Sequence, residues 1–321
     1  MSPIAPRSQL ERSVRMLRSG FGPRLIAWLA DPEIIEIMLN PDGRLWLDRL
    51  GEGMVATDEI MSPEMAERVI RLVAHHVAAT VHSNSPRLSA ELPEGGERFE
   101  GLVPPIVAAP SFSIRKPAAK IFTLADYVAS SVMTADQGAV LEAAVASRAN
   151  ILVAGGTGTG KTTLVNALLA EIAKSDDRVI LIEDTRELQC SAPNLVALRT
   201  KDGAATLRDL VRCALRLRPD RIPIGEVRGP EALDLIKAWG TGHPGGFGTI
   251  HAGSARGALR RLEQLVEGGG VTVPRALIAE TVNPVAVLVR DGSGRRLAEL
   301  AWIDGLDARG DFRILPQGDR R

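Results

Sequence analysis

Near its midpoint the sequence reads Gly155-Gly156-Thr157-Gly158-Thr159-Gly160-Lys161-Thr162, which fits the pattern G-x-x-x-x-G-K-[ST] at every fixed position. Residues 151–154 before it are all apolar and predict a short buried strand, and residues 163–169 after it predict a helix. Glycines let such a loop curl until its amide N–H groups point inward, where the helix N-terminus adds positive dipole. This setting favours a phosphate-binding loop over a chance glycine-rich turn.

The loop residues have predicted parts in holding a nucleotide. The Lys161 ammonium is expected to reach the β and γ phosphates, and the Thr162 hydroxyl is expected to hold Mg²⁺. ATP is favoured over GTP because no Asn in the chain is followed by Lys, as the guanine-binding motif N-K-x-D requires. A small-molecule kinase stays an open alternative, although no motif supports it. The residues predicted to bind the nucleotide are Gly155, Gly156, Thr157, Gly158, Thr159, Gly160, Lys161, Thr162 and Thr163.

Length and composition limit the classes of protein to consider. The 321 residues, 45% of them hydrophobic, are enough for two domains with real cores. Lys and Arg together number 39, as do Asp and Glu, so the overall charge gives no strong signal for direct nucleic-acid binding. Two cysteines in a chain of this length indicate a reducing compartment.

The N-terminal segment gives an expectation about location. Residues 1–20 are charged and contain no apolar core of a secretory signal, and no apolar run approaches the roughly 18 residues that span a bilayer. We therefore expect a cytoplasmic protein. Peripheral attachment to a membrane through a partner stays open.

The pattern of elements predicts a small α+β N-terminal domain over residues 1–118, a linker over 119–135 and an α/β domain over 136–321. In the last of these, strands alternate with helices, which is typical of a mostly parallel sheet flanked by helices. The strands predicted there are residues 151–154, 179–183, 195–199, 222–227, 247–251 and 285–289.

The N-terminal domain is predicted to contain both strands and helices. Its predicted strands are residues 33–39, 44–48, 98–103 and 111–115. A helical pattern over residues 8–29 is broken by Gly22 and Pro23, and Ser62 with Pro63 predicts the N-cap and first position of another helix.

Two downstream strands end in carboxylates that could act on a nucleotide. Residues 179–182 are apolar and deliver Glu183 and Asp184 at the carboxyl end of a strand, where an acid can lie near a metal or its water. The alternative is a solvated or helix-capping acidic pair. Glu226 closes another apolar segment and could orient or deprotonate the attacking water, the alternative being an ordinary strand-end Glu. Gly225 stands where an Asp is usual, which disfavours direct Mg²⁺ ligation by this segment.

Two further features lie near Glu226 in the sequence. Pro223 lacks a backbone donor, so a bulge or shortened pairing is predicted in its strand. His243 and His251 flank a glycine-rich turn and a short strand, and zinc is disfavoured there because the chain has no C-x-x-C pair. His251 is either a contact to phosphate or to Glu226 that reports the nucleotide state, or an ordinary hydrogen-bonded residue of the sheet.

The ordered set of these segments resembles the type II/IV secretion system ATPase family, and within it the conjugal transfer, TrbB-like branch. The resemblance is carried by the phosphate loop, the acidic box 182–185, the segment from 218 to 232 and the histidine box 241–252. The segment 113–117 is similar to the end of the N-terminal domain in the type IV secretion and conjugation branch.

The resemblance implies a RecA-like P-loop NTPase domain, a hexameric ring and a Mg²⁺-dependent ATP hydrolase that works with inner-membrane secretion or conjugation proteins. It implies that Glu226 activates water, that Glu183 belongs to the metal–water network and that His251 senses the nucleotide. It also implies arginines that reach the nucleotide from the N-terminal domain or from a neighbouring subunit. Arg115 matches that role best and Arg98 less well, with a surface ion pair as the alternative for either.

Four functional hypotheses follow from the sequence. The first is a motor that couples ATP hydrolysis to conjugal DNA transfer or type IV secretion. The second is a type IV pilus or type II secretion motor, whose extension type is weakened by the absence of a C-x-x-C zinc module. The third is a DNA-translocating, helicase-type ATPase. The fourth is a scaffold that binds ATP without useful turnover.

Overall fold

The computed structural model describes residues 7–117, 121–201, 203–292 and 294–317. Contacts divide the chain into two units, Met1–Ala119 and Lys120–Arg321, each with its own core. Residues 118–120, where the N-terminal domain was predicted to give way to the linker, lie outside the described part. No helix of the described ranges is both long enough and apolar enough to cross a bilayer.

The first unit is an antiparallel sheet packed against two helices. The elements are α1 (Arg7–Ala30), β1 (Ile34–Leu39), β2 (Arg44–Arg49), β3 (Gly53–Ile60), α2 (Pro63–His76), β4 (Arg87–Glu91), β5 (Arg98–Leu102) and β6 (Ser111–Arg115). The six strands lie in the sheet in the order β3-β2-β1-β6-β5-β4. The sequence predicts β1, β2, β5 and β6 but neither of the two edge strands, β3 and β4.

Two helix signals of the first unit are confirmed. Gly22 interrupts α1 with a φ of 74° and a ψ of 168°, so the helix is kinked where the sequence breaks its pattern. Ser62 caps α2 by accepting a hydrogen bond from the amide of Met65 at 3.3 Å, with Pro63 at the first helical position.

The second unit is a sheet with helices on both faces. The prediction of an α/β chain is confirmed at that level. Its elements are α3 (Leu124–Ala129), α4 (Ala135–Ala146), β7 (Ile151–Gly155), α5 (Lys161–Ile172), β8 (Val179–Glu183), β9 (Leu195–Arg199), α6 (Leu207–Leu215), α7 (Glu231–Gly240), β10 (Phe247–Ile250), α8 (Ala255–Glu267), α9 (Arg275–Thr281), β11 (Pro284–Asp291), β12 (Gly294–Leu306) and β13 (Phe312–Pro316).

Helix α3 lies inside the range predicted as linker and belongs to the second unit. Its residues Leu124 and Tyr127 are buried in the same core as Leu141 of α4 and Leu164 of α5. Thr123 and Asp126 form a capping box that fixes the start of α3.

The sheet of the second unit is parallel at its centre and antiparallel at one side. Strands β10, β7 and β11 are parallel neighbours, while β12 and β13 continue the sheet with antiparallel pairing. Strands β8 and β9 form a second parallel pair. Every residue of β7 and β8 is buried, as expected for strands covered on both faces. Alternate residues of these strands point into two separate cores, one formed with α6, α7 and α8 and the other with α3, α4 and α5.

The segment predicted as a strand over residues 222–227 makes only isolated parallel bridges, to β8 on one side and to β10 on the other. Ile224 donates its amide to Phe247 at 2.7 Å, and the carbonyl of Pro223 accepts from Ile182 at 2.9 Å. Pro223 has no N–H to donate, so the predicted shortening of the pairing is confirmed. The segment still connects the two sets of strands and carries Glu226 to the end of β8.

Candidate functional site

The phosphate loop follows β7 directly and leads into α5. Gly158 and Gly160 have φ angles of +72° and +93°, a left-handed conformation that residues with a side chain rarely adopt. The Thr159 hydroxyl donates to the Gly156 carbonyl at 2.9 Å and closes the loop on itself. Thr157 is exposed in the loop, and Thr163 lies half-buried in the first turn of α5.

Lys161 is the first residue of α5, and its ammonium turns back into the loop. Its Nζ donates to the carbonyls of Gly155 at 3.1 Å and Gly156 at 2.9 Å, and the residue is 9% exposed. The long side chain is therefore held in the concave side of the loop.

Thr162 meets a carboxylate that the sequence analysis did not single out. Its Oγ1 donates to Oε2 of Glu187 at 3.1 Å. Asn166, one turn further along α5, donates to the carbonyl of Glu187 at 3.2 Å and accepts from the amide of Gln189 at 2.8 Å. The segment after β8 is thus fastened to α5. A signal was present in the sequence, because Glu187 lies in the same acidic segment as Glu183.

Glu183, at the end of β8, is 2% exposed, and its carboxylate organises the backbone that follows it. Its Oε1 accepts from the amides of Glu187 at 2.8 Å and Leu188 at 3.0 Å. Burial raises the pKa of Glu183, although these two amides and the charge of Arg199 work in the opposite direction. Glu183 therefore holds the turn from which Glu187 reaches Thr162.

Glu226 and His251 lie in contact, which is one of the alternatives that the sequence leaves open for His251. Oε1 of Glu226 is 3.1 Å from Nε2 of His251. Oε2 of Glu226 accepts from Nε and Nη2 of Arg228 at 2.8 and 2.5 Å, and Nη1 of Arg228 lies 3.6 Å from Asp184. These hydrogen bonds and charges, Glu226 foremost, raise the pKa of the Arg228 guanidinium further. Arg228 was not predicted, although it lies two residues after Glu226.

Arg228 links the two halves of the site. Its charge also interacts with that of Glu187, the carboxylate bonded to Thr162. The loop side and the Glu226 side therefore share one network of charges within the second unit.

A buried amide fixes the turn before β10. Oδ1 of Asn150 accepts from the amides of Gly245 at 2.8 Å and Gly246 at 3.1 Å, and its Nδ2 donates to the carbonyl of Thr281 at 2.8 Å. The indole of Trp239 covers Gly246 and donates to the Ile222 carbonyl at 2.9 Å. A Cβ atom on Gly246 would lie 2.0 Å from Nε1 of Trp239, so the turn requires glycine there.

His243, at the start of this turn, has a different partner from His251. Its Nδ1 is 2.9 Å from the carbonyl of Pro219.

Arg115 and Arg98 belong to the first unit. Arg115 is the last residue of β6, where it is exposed and lies in register with Glu36 of β1 and Arg98 of β5.

The donors around Thr162 suit a hard cation such as Mg²⁺. A hydroxyl and a carboxylate lie together, and Mg²⁺ in nucleotide sites is commonly held by one or two side chains, phosphate oxygens and water. The described ranges contain no group of three or more His, Cys, Asp or Glu side chains arranged to hold a metal by themselves.

The sequence matches known proteins along most of its length. The family model for type II/IV secretion system proteins matches residues 56–293. The conjugal transfer protein TrbB of Rhizobium radiobacter is 49% identical over 296 residues, which cover 92% of this chain and 91% of that protein. The type IV secretion system protein PtlH of Bordetella pertussis is 35% identical, with 88% of this chain and 94% of that protein covered.

Solved structures agree with the fold. The pilus retraction motor PilT with bound ADP has a TM-score of 0.63 at 18% identity and covers 92% of this chain and 83% of its own. The Legionella pneumophila ATPase DotB has a TM-score of 0.59 at 18% identity and covers 96% and 84%. With a family model that matches most of its length and a conjugal transfer relative at 49% identity, the chain belongs to the type II/IV secretion system protein family.

Proposed function

We propose that the chain is a Mg²⁺-dependent ATPase motor that works as a hexamer and drives conjugal DNA transfer or type IV secretion as a peripheral protein at the cytoplasmic side of the inner membrane. The similarity to TrbB and PtlH supports the process, and the bound ADP of the PilT structure supports an adenine nucleotide. The observation that carries the proposal is the network that links Glu226 and His251, through Arg228 and Glu187, to Thr162 at the end of the phosphate loop.

The proposed domain arrangement has an N-terminal domain at residues 1–118 and a RecA-like ATPase domain at 136–321, and the predicted linker 119–135 contributes α3 to the core of the second domain. The parallel strands β10, β7 and β11, with the phosphate loop at the carboxyl end of β7, support the RecA-like assignment.

Binding of the triphosphate is assigned to the loop from Gly155 to Thr163. Amides of the loop and the first turn of α5 would donate to phosphate oxygens, and the Lys161 ammonium would exchange its two loop carbonyls for phosphate oxygens. Mg²⁺, when bound, neutralises charge on the phosphates and polarises them for attack. Thr162 and Glu187 would hold it, directly or through water. Glu183 would act in the same network by fixing the backbone of Glu187.

Hydrolysis is assigned to Glu226. A carboxylate at this edge of the sheet can accept a hydrogen bond from a water and orient it toward the γ-phosphate. Arg228 donates to Oε2 of Glu226 and His251 contacts Oε1, which keeps a second lone pair that can accept from the water. Because it would share Oε1 with that water, His251 would register the nucleotide state. Arg115 is proposed to stabilise charge on the transferring phosphate, as the family resemblance implies.

The test is hydrolysis of MgATP by the purified full chain. Glu226→Gln removes the base but keeps the shape, so we expect nearly wild-type ATP affinity and a turnover at least about 100-fold lower. Lys161→Ala is expected to reduce ATP binding itself. Glu267→Gln, an exposed residue of α8, serves as the matched control and should change neither quantity.

Three outcomes would contradict the proposal. Unchanged turnover of Glu226→Gln would remove Glu226 from the reaction. Assembled wild-type protein that binds ATP without hydrolysing it would favour the scaffold hypothesis. Strong stimulation by DNA, with binding that falls steeply with salt, would favour a helicase-type motor.

A further inference from the structure

A cluster of three arginines, Arg290, Arg295 and Arg296, lies beside the phosphate loop, at the ends of β11 and β12 where the chain turns back. Strand β11 pairs with β7 in parallel, with Leu288 opposite Gly155, so the rest of β11 extends beyond the point where β7 becomes the loop. Strand β12 then returns antiparallel, placing Arg295 opposite Arg290. The function described above makes no use of this turn.

Arg295 is the member of the cluster that touches the loop. Its Nε donates to the carbonyl of Gly158 at 3.2 Å, across 137 residues of sequence. A Cβ atom built on Gly160 would lie 3.2 Å from Cδ of Arg295, so the aliphatic part of the side chain runs along the rim of the loop. The guanidinium plane is therefore held at a fixed place although the residue is exposed.

The position of Arg295 differs from that of the groups assigned to hydrolysis. Strand β10, which leads to His251, borders β7 on one side, and β11 borders it on the other. In a phosphate loop the amides converge on the anion, so the Gly158 carbonyl that accepts from Arg295 faces away from the phosphates. A nucleotide with its γ-phosphate toward Glu226 would extend its nucleoside toward the β11 side.

We infer that Arg295 forms a wall of the nucleobase site, with its guanidinium face against the ring of the base. This inference rests on the proposed binding of ATP at the loop. A guanidinium is planar, weakly hydrated and suited to stacking on aromatic rings, and Arg295 is already oriented by its bond to the loop.

Helix α3 and the segment before it bring an aromatic pair near Arg295, of which Tyr127 is buried in the core and Phe122 is exposed. Tyr127 of α3 lies within electrostatic range of Arg295, whose charge partly offsets the rise that burial produces in the pKa of Tyr127. The ring of Phe122 packs edge-on against Tyr127 at a centroid distance of 6.3 Å and is 37% exposed.

The experiment compares nucleotides with inorganic tripolyphosphate, which carries phosphates but no base. Binding of ATP, ADP and tripolyphosphate to the full chain is measured by calorimetry in the presence of Mg²⁺. Arg295→Ala is expected to weaken the binding of ATP and of ADP by the same factor, roughly 3- to 30-fold. The affinity for tripolyphosphate should stay within about twofold of the wild-type value. Arg295→Lys should recover little of the loss, because an ammonium lacks the planar face.

Arg296→Ala is the matched control, since Arg296 lies in the same turn and pairs with Asp291 at 3.2 Å. It should bind all three ligands as the wild type does. Melting temperatures without ligand show whether Arg295→Ala destabilises the protein. If this variant melts at a lower temperature than the wild type, Arg295→Gln, which keeps a planar donor for the Gly158 carbonyl, takes its place.

The outcomes separate the inference from the proposed function. Wild-type protein that binds no adenine nucleotide would refute both. If the wild type binds adenine nucleotides and Arg295→Ala binds them with the same affinity, only the role of Arg295 is overturned. An equal loss for tripolyphosphate and ATP would show that Arg295 acts on the phosphates or the loop, and would overturn the assignment to the base.

Discussion

Replacing Asn150 with Ala tests whether one buried side chain sets the turn before β10. The Asn150 amide makes three hydrogen bonds to backbone groups, two as acceptor and one as donor, and the residue is 4% exposed. A buried hydrogen bond contributes about 1 kcal/mol net, and a backbone group left without its partner costs about 1 to 3 kcal/mol. We therefore expect Asn150→Ala to lower the free energy of unfolding of the second unit by about 3 kcal/mol.

Asn194→Ala is the control for the same chemical change. The Asn194 side chain is exposed and accepts one hydrogen bond, from Arg178 at 2.6 Å. Loss of an exposed contact of this kind should change stability by less than about 0.5 kcal/mol.

The measurement must report on the second unit alone. Urea unfolding of the full chain, followed by hydrogen exchange of peptides from β7 and β10, separates this unit from the first. If Asn150→Ala destabilised these peptides no more than Asn194→Ala does, the turn would be held by other contacts and the reasoning would be wrong.

Two further predictions concern the acidic segment. Burial raises the pKa of Glu183 above its ordinary value of 4.5, so the folded state binds this proton more tightly than the unfolded state does. The ionised carboxylate therefore lowers the free energy of unfolding. This loss is absent below pH 4.5, grows as the pH rises, and is complete above the folded-state pKa. Glu183→Gln keeps an acceptor for the two amides, so it should raise the free energy of unfolding at pH 8 relative to the wild type. In urea titrations at several pH values, the stability of this variant should also depend less on pH. Parallel pH profiles for the two proteins would contradict this. Glu187→Gln replaces the carboxylate beside Thr162 with a neutral amide, so it should raise the Mg²⁺ concentration needed for half-maximal nucleotide binding roughly 10-fold. Titration with fluorescent ADP and Mn²⁺ EPR would measure this shift. A larger shift for Glu183→Gln than for Glu187→Gln would assign the metal-side role to Glu183 itself.

Local features of both units could be predicted from the sequence because they depend on adjacent residues. The phosphate loop needs only its glycines, an apolar strand before it and a helix after it, and all three are present in the structure. The break at Gly22 and the cap at Ser62 are local in the same sense.

Features that depend on distant contacts could not be predicted. Glu187 reaches Thr162 only because the buried carboxylate of Glu183 folds the intervening backbone. Arg295 meets Gly158 across 137 residues, and no local pattern marks it. Strand β12 was missed because its first residues are exposed and charged, so they give no clear alternation of apolar and polar positions.

The contact between Trp239 and Gly246 has a consequence for how relatives of this chain can diverge. The indole occupies the space that any side chain at position 246 would need, and it also covers the Ile222 carbonyl. A Cβ atom at 246 would also lie 2.7 Å from the Ile222 carbonyl oxygen, so a lineage that gained even an alanine there would have to move both the indole and the backbone of residue 222. We therefore expect glycine at position 246 in every relative that keeps this turn and the tryptophan at 239.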